Sequence, residues 1–304
     1  VAKAFEAGYR HIDTAQMYGN EQGVGDAIAA SGIARDELYV TTKLNNGFHR
    51  PDDARRELAA SLERLQLDHV DLVLIHWPLP TRYDGDYVST WRALVDFQKS
   101  GGATSVGVSN FQPDHLDRII EETGVVPVVN QIEVHPFFSN QAARAASAGH
   151  DIAVEAWSPI AQGAANDDSA IKGIAAKVER TPAQVALRWH LQRGDIVFPK
   201  SMHPERMAEN FALFDFELSA GRAVWSPTAT SRPENLRLGT KPRAPSHASR
   251  ARPQASRRWA SRARSISLSD ETSRCSLAMC ASKARSIRSR PVSVSATTRL
   301  RASP

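Results

Sequence analysis

The sequence predicts an α/β fold built on a parallel sheet, and two observations carry that prediction. Between residues 10 and about 200, seven short β-branched runs alternate with longer amphipathic stretches, the order that lays helices across a mostly parallel sheet. Several runs, "VDLVLIHW" (70–77) among them, are apolar at successive rather than alternate positions, as strands covered on both faces must be. A (β/α)8 barrel short of a strand and an open doubly wound sheet both fit this order. No Gly-x-Gly-x-x-Gly follows any of the runs, which counts against the open dinucleotide-binding sheet.

In order, the strand candidates are "RHIDTA" (10–15), "LYVTTKL" (38–44), "VDLVLIHW" (70–77), "TSVGVSN" (104–110), "VVNQIEV" (128–134), "IAVEAWS" (152–158) and "IVFPKS" (196–201). Helices are expected in "VAKAFEAGY", "EQGVGDAIAAS", "PDDARRELAASLERL", "YVSTWRALVDFQKSG", "PDHLDRIIEETG", "NQAARAASAG", "SAIKGIAAKVER", "TPAQVALRWHLQRG" and "HPERMAENFALF". Their boundary signals agree: Pro51 precedes two aspartates at a helix start, Thr181-Pro182 opens another, and Gly101, Gly124 and Gly149 stand where helices should stop. Val1 falls inside the first helical stretch, so the natural start is expected to lie upstream.

Charge divides the chain in two. Residues 1–220 hold 20 Lys and Arg against 30 Asp and Glu, a net of −10, whereas 221–304 hold 18 against 3, a net of +15. The overall +5 is therefore made by the tail and is not a nucleic-acid signal for the whole chain. The tail also carries 17 Ser and no sustained period. It cannot bury enough apolar surface to offset chain entropy, so it is expected to be disordered. Its Arg, Ser, Ala and Pro content is also what a GC-rich gene yields in a shifted frame. A basic arm that attracts nucleic acid non-specifically is the functional alternative, with no folded reader module to support it. Both cysteines, Cys275 and Cys280, lie in the tail. The main part then has neither a disulfide framework nor a thiolate metal site, in keeping with a reducing, cytoplasmic setting. No apolar run reaches transmembrane length.

The chemistry gathers where strands end. Asp13 ends the first run with Tyr18 just beyond; Lys43, His76, Ser109 with Asn110, Gln131, Trp157 with Ser158, and Lys200 with Ser201 end the others. In a barrel all strand ends of this kind share one rim, so polar groups far apart in sequence would meet in one pocket. Singly, each has a plainer reading: Asp13 a helix cap, Lys43 a solvated rim charge, His76 a satisfied core histidine, Trp157 a core aromatic, "HPERMAEN" an ordinary solvated helix start. His135 before Pro136 reads as structural.

The blocks "HIDTAQMYGNE", "TTKL", "LIHWP", "GVSNF", "NQIEVHP", "AWSPIAQG" and "PKSMHPERMAENFALFDFELS", in this order and at these intervals, resemble the aldo-keto reductases across residues 1–220. Within that family the likeness points toward the bacterial 2,5-diketo-gluconate reductase branch. The resemblance implies a (β/α)8 TIM barrel lacking its first strand, a single domain over 1–220, and NADPH-dependent reduction of an aldehyde or ketone, with a keto sugar acid as one substrate class. It implies a catalytic tetrad of Asp13, Tyr18, Lys43 and His76, with Tyr18 the general acid. A free phenol has a pKa of about 10. It can supply a proton to an alkoxide, and a lysine ammonium beside it favours the phenolate left behind. Asp13 would offset the cost of burying that ammonium, and a neutral His76 would orient the carbonyl oxygen.

By the same resemblance Ser109, Asn110 and Gln131 would hydrogen-bond the nicotinamide carboxamide. Trp157 would stack on its ring beside Ser158, and Trp77 would line the substrate pocket. Lys200, Ser201 and Arg206 would hold the adenosine 2′-phosphate, two cations and a hydroxyl suiting a dianion. Glu209 and Asn210, at i+3 and i+4 from Arg206, would contact adenine. No metal is expected, the partner is a small carbonyl compound, and the working unit is a monomer. Without the family's first strand, the two sheet edges flanking the gap would carry unpaired backbone groups unless something covers them. A catalytically dead NADPH-binding barrel and a non-functional gene fragment remain the alternatives.

Overall fold

The computed structural model describes residues 1–219; the expectations for the 221–304 tail lie outside those residues. Seven parallel strands run in sequential order: β1 (His11–Asp13), β2 (Tyr39–Leu44), β3 (Val70–Ile75), β4 (Ala103–Ser109), β5 (Val129–Glu133), β6 (Ala153–Trp157) and β7 (Ile196–Val197). The helices are α1 (Ala2–Glu6), α2 (Glu21–Ala29), α3 (Pro51–Leu65), α4 (Tyr87–Lys99), α5 (Pro113–Thr123), α6 (Gln141–Gly149), α7 (Ser169–Val178), α8 (Pro182–Gln192) and α9 (Pro204–Phe211). The sheet curls as a (β/α)8 barrel lacking one strand.

Local chemistry sets the boundaries. Pro51, Pro113, Pro182 and Pro204 each sit in a first helical turn, where a missing N–H costs nothing. Thr181 and Gln184 form a reciprocal capping box at α8, and Asp168 accepts the Ile171 N–H at the start of α7. Gly124 ends α5 in the left-handed region. Gly149 is instead the last residue of α6, with His150 as the cap.

The period-2 alternation of the strands builds two cores. Val73 and Ile75 of β3 pack outward with Trp91, Leu94 and Leu116 of the helices. Leu72 and Leu74 pack inward with Tyr39 and Val129. Gly107 is required opposite them, since a Cβ there would meet Leu74 Cδ2 and the Val129 carbonyl oxygen, both at 2.8 Å. The same parity turns Asp13, Lys43, Ser109, Gln131 and Glu155 toward the interior, with Ser109, Gln131 and Glu155 in one row of the register.

The last strand is shorter than the sequence suggests. "IVFPKS" yields only Ile196–Val197, because Pro199 has no N–H to donate to a ladder, so Lys200 and Ser201 lie beyond the strand. The two edges are bridged by rings rather than backbone. His11 of β1 stands edge-on to Phe198 at 4.7 Å between centroids. Outside it, Tyr9 packs on Phe211 of α9 at 4.9 Å and donates its hydroxyl to the Met207 carbonyl at 3.1 Å. No helix among the described residues is long and apolar enough to cross a membrane.

Candidate active site

The site begins with a buried ion pair. Lys43, at the end of β2, is 0% exposed, and its Nζ lies 2.7 Å from both oxygens of Asp13 and 3.0 Å from the Thr14 carbonyl. Three acceptors around one ammonium supply in the interior what water would supply outside. Asp13 is thus not a helix cap, since α2 starts at Glu21 and takes no side-chain cap, and the buried Lys43 is not a solvated rim charge.

Tyr18 lies on a short 3-10 turn, Gln16–Tyr18, closed by Gly19 in the left-handed region. Its side chain is 52% exposed and so faces the solvent side of the barrel mouth. Lys43 Nζ stands 5.2 Å from its ring centroid, and the His76 ring meets it edge-on at 5.9 Å. Gln16 pins the turn: its amide donates to Ser61 Oγ and the Glu57 carbonyl on α3, and its oxygen accepts the Asn45 N–H at 2.7 Å. Glu21, just past the turn, is buried between Thr42, Ser61 and Arg64.

His76 is buried at the end of β3. Burial, aided by the Lys43 charge, brings its imidazole down to about 4, so it is neutral at pH 7. Its Nδ1 is buried without a hydrogen-bond partner. Its carbonyl accepts from Asn110 Nδ2 at 2.9 Å, and the same nitrogen reaches Ser109 Oγ at 3.1 Å. Asn110 Oδ1 accepts the Trp157 indole N–H at 2.9 Å, which fixes that ring against the end of β4. Asn110 adopts φ 64°, a conformation asparagine tolerates better than most residues. Ser109 Oγ donates to the Gln131 carbonyl at 2.8 Å.

Gln131 joins this group to the ion pair. Its Nε2 donates to Asp13 Oδ1 at 2.9 Å and to Glu155 Oε2 at 2.8 Å. Glu155 on β6 is 1% exposed; burial first, then the Asp13 charge, pushes its carboxyl up to about 8. The folded chain thus keeps a proton that the unfolded chain releases above about 4.5. The stability this gives is fully present below about pH 4.5 and is lost as pH rises to about 8. His11, His49 and His76, each lowered to about 4 from 6.5, act in the opposite sense. Their contribution is full above about pH 6.5 and is lost as pH falls toward 4. Between pH 6.5 and 8, therefore, Glu155 alone of these four titrates. Stability should fall across that interval by about 2 kcal/mol, a slope that thermal melts of Glu155→Gln should lack.

The remaining expected residues are more dispersed. Ser158 is half-buried at φ 51°, and Trp77 is 36% exposed beside His76. Lys200 and Arg206 are exposed and make no ion pair among the described residues. Ser201 Oγ accepts the His203 N–H at the start of α9. Glu209 does not share the open face of Arg206 freely: its carboxylate accepts the Thr181 hydroxyl at 2.7 Å, and Asn210 is buried. His135 takes the Phe137 N–H on Nδ1 at 3.2 Å and faces Glu133 with Nε2, a turn-stabilising arrangement. Glu155, Gln16 and Glu21 are the participants that sequence reasoning missed. Glu155 had a signal: it lies two residues before Trp157, on the same strand face, in an otherwise apolar run. Among the described residues no cluster of three His, Cys, Asp or Glu could hold a metal ion.

Known proteins share much of this sequence and fold. Residues 1–223 match the model of the aldo/keto reductase family. The chain is 52% identical over 221 residues to the methylglyoxal reductase DkgA of Yersinia pestis, covering 72% of this chain and 78% of that protein. Among solved structures, an aldo/keto reductase from Brucella melitensis is 48% identical, with a TM-score of 0.70 over 73% of this chain and 84% of its own. The Bombyx mori aldo-keto reductase, solved in complex with NADP, is 39% identical, with a TM-score of 0.68 over 73% of this chain and 78% of its own.

Proposed function

This chain belongs to the aldo/keto reductase family, and from that premise we propose that it reduces small aldehydes and ketones with NADPH, Tyr18 donating the proton. The observation that carries the reading is the buried Lys43, 2.7 Å from both Asp13 oxygens and 5.2 Å from the Tyr18 ring, beside a neutral His76.

The residues present fit the cofactor. Lys200 and Arg206 are two cations without acidic partners among the described residues, in a part of the chain that is otherwise acidic, and they suit a 2′-phosphate. Trp157 is held by its own N–H with a half-buried ring, a platform for a flat heterocycle. Bound there, NADPH supplies the hydride.

This chain's residues do the rest. His76, neutral and on the edge of Tyr18, orients the carbonyl oxygen by hydrogen bond. Tyr18 gives its hydroxyl proton to that oxygen as negative charge develops on it. Lys43 stabilises the phenolate that remains, and Asp13 keeps Lys43 charged while buried. Asp13 and Lys43 act through Tyr18 and need not touch the substrate.

Substrate assays should begin with methylglyoxal, the compound named for the Yersinia pestis relative, and include a keto sugar acid. Cofactor selectivity gives a separate test. Arg206→Ala should weaken NADPH binding by about tenfold or more, the loss of one charge-assisted contact, and leave NADH binding within twofold. Equal loss for both cofactors in a fluorescence titration would count against a phosphate contact at Arg206.

A further inference from the structure

We propose that Gln16 is a positioning residue for the proton transfer: it ties the turn that carries Tyr18 to the chain just past Lys43, and so sets how the phenol stands against the ammonium. The proposal rests on the reading of Tyr18 as the acid and deepens it, adding a side chain that acts through Tyr18 and touches neither substrate nor cofactor.

The phenol is poorly held by its own contacts. Tyr18 meets Lys43 and His76 through its ring, and its hydroxyl has no hydrogen-bond partner among the described residues. Met17, Tyr18, Gly19 and Asn20 are all exposed. The turn closes on two backbone bonds, from the Tyr18 N–H to the Ala15 carbonyl at 3.0 Å and from the Gly19 N–H to the Gln16 carbonyl at 3.1 Å. A 3-10 turn this short is weak by itself. The Thr14 hydroxyl donates to Asn20 Oδ1 at 2.7 Å, which closes the loop on itself without tying it to β2 or α3.

Gln16 supplies that tie. Its Oε1 accepts the Asn45 N–H at 2.7 Å. Gln16 lies two residues before Tyr18 and Asn45 two residues after Lys43, so this one bond links the two groups that must face each other. A backbone N–H can only donate, which fixes the amide with its oxygen toward Asn45. Both hydrogens of Nε2 then go to α3, to Ser61 Oγ at 2.8 Å and to the Glu57 carbonyl at 3.0 Å. Ser61 is itself fixed, its Oγ lying 3.3 Å from Glu21 Oε2 and taking a hydrogen from Arg64 at 3.1 Å. All three bonds leave the turn, so the side chain places the turn rather than shaping it. Placement matters because a proton passes only within hydrogen-bond reach, roughly 3 Å between oxygens, and a displacement of roughly 1 Å can cost about a hundredfold in rate.

The test is a double-variant cycle on the single-turnover rate of NADPH oxidation with methylglyoxal. Gln16→Met keeps the volume and removes all three hydrogen bonds. It should lower the rate by about thirtyfold, inside the loss that misplacement can cause, while NADPH affinity by fluorescence titration stays within about twofold and the thermal melt stays cooperative. In a Tyr18→Phe background the same substitution should cost no more than about twofold, because the group it places is gone, and residues that act as a unit are not additive. Losses that multiply would mark Gln16 as serving the fold at large and overturn the proposal. An unchanged rate in Gln16→Met, or NADPH affinity falling in step with the rate, would overturn it too. If Tyr18→Phe alone keeps the wild-type rate, the acid reading itself fails and takes the proposal with it; if Tyr18→Phe is slow and the losses multiply, the proposal alone fails. Gln16→Asn, one methylene too short to span α3 and Asn45 together, serves if Gln16→Met gives no cooperative melt. If neither variant folds, Gln16 belongs to the fold and the proposal is wrong.

Discussion

Tyr18→Phe should lower kcat for carbonyl reduction by about a thousandfold, in the middle of the range for a lost general acid, while NADPH binding stays within twofold of wild type. The substitution removes one oxygen from a side chain that is 52% exposed on a turn held by Gln16 rather than by the phenol itself. Stability should therefore change by no more than about 0.5 kcal/mol. The ring stays, and with it the contacts to Lys43 and His76. Cofactor titration and a thermal melt on the same preparation separate loss of the proton from loss of the site. A variant that kept a tenth of the activity would mean that another group, or water, delivers the proton.

Lys43→Met should be costly twice over. Its ammonium is fully buried, with Asp13 only 13% exposed, so removing it strands a carboxylate that keeps only the neutral Gln131 amide as a side-chain donor among the described residues. Breaking a buried pair from one side costs about 3–5 kcal/mol, readable as a shift in the urea midpoint. On the proposed mechanism turnover should fall as well, because Lys43 is the cation that the described residues place over the Tyr18 ring. The double variant Lys43→Met with Asp13→Leu separates the two losses. It removes the stranded charge and should recover most of the stability while recovering none of the activity. Recovery of activity together with stability would show that Lys43 serves the fold alone.

How far the sequence foretold this site depended on how each residue is carried. Asp13, Lys43 and Ser109 were legible because parallel strands direct their ends to one rim, and an inward polar residue at a strand end is conspicuous, whereas Gln131, expected at a strand end, lies in the middle of β5. The helices were legible from prolines, caps and glycines, and α3 matches its expected stretch from Pro51 to Leu65. Glu155 was missed although it lies two residues before Trp157 on one strand face, because only the register sets it beside Gln131. The bridging of the sheet edges was also hidden. The His11–Phe198 and Tyr9–Phe211 ring contacts join residues from opposite ends of the described chain, and no local period encodes them. Glu209, expected from its spacing as an adenine contact, accepts the hydroxyl of Thr181, the cap of α8. A residue's spacing on a helix shows which face it occupies but not which neighbour it answers to.

The most direct measurement is a single turnover with NADPH deuterated at the transferring position of nicotinamide C4 and methylglyoxal as acceptor, the alcohol product being read by mass spectrometry. Hydride transfer with Tyr18 as acid predicts one deuterium on the former carbonyl carbon in wild type and no labelled alcohol from Tyr18→Phe on the same timescale. Unlabelled alcohol from wild type, or equal labelled product from Tyr18→Phe, would contradict it.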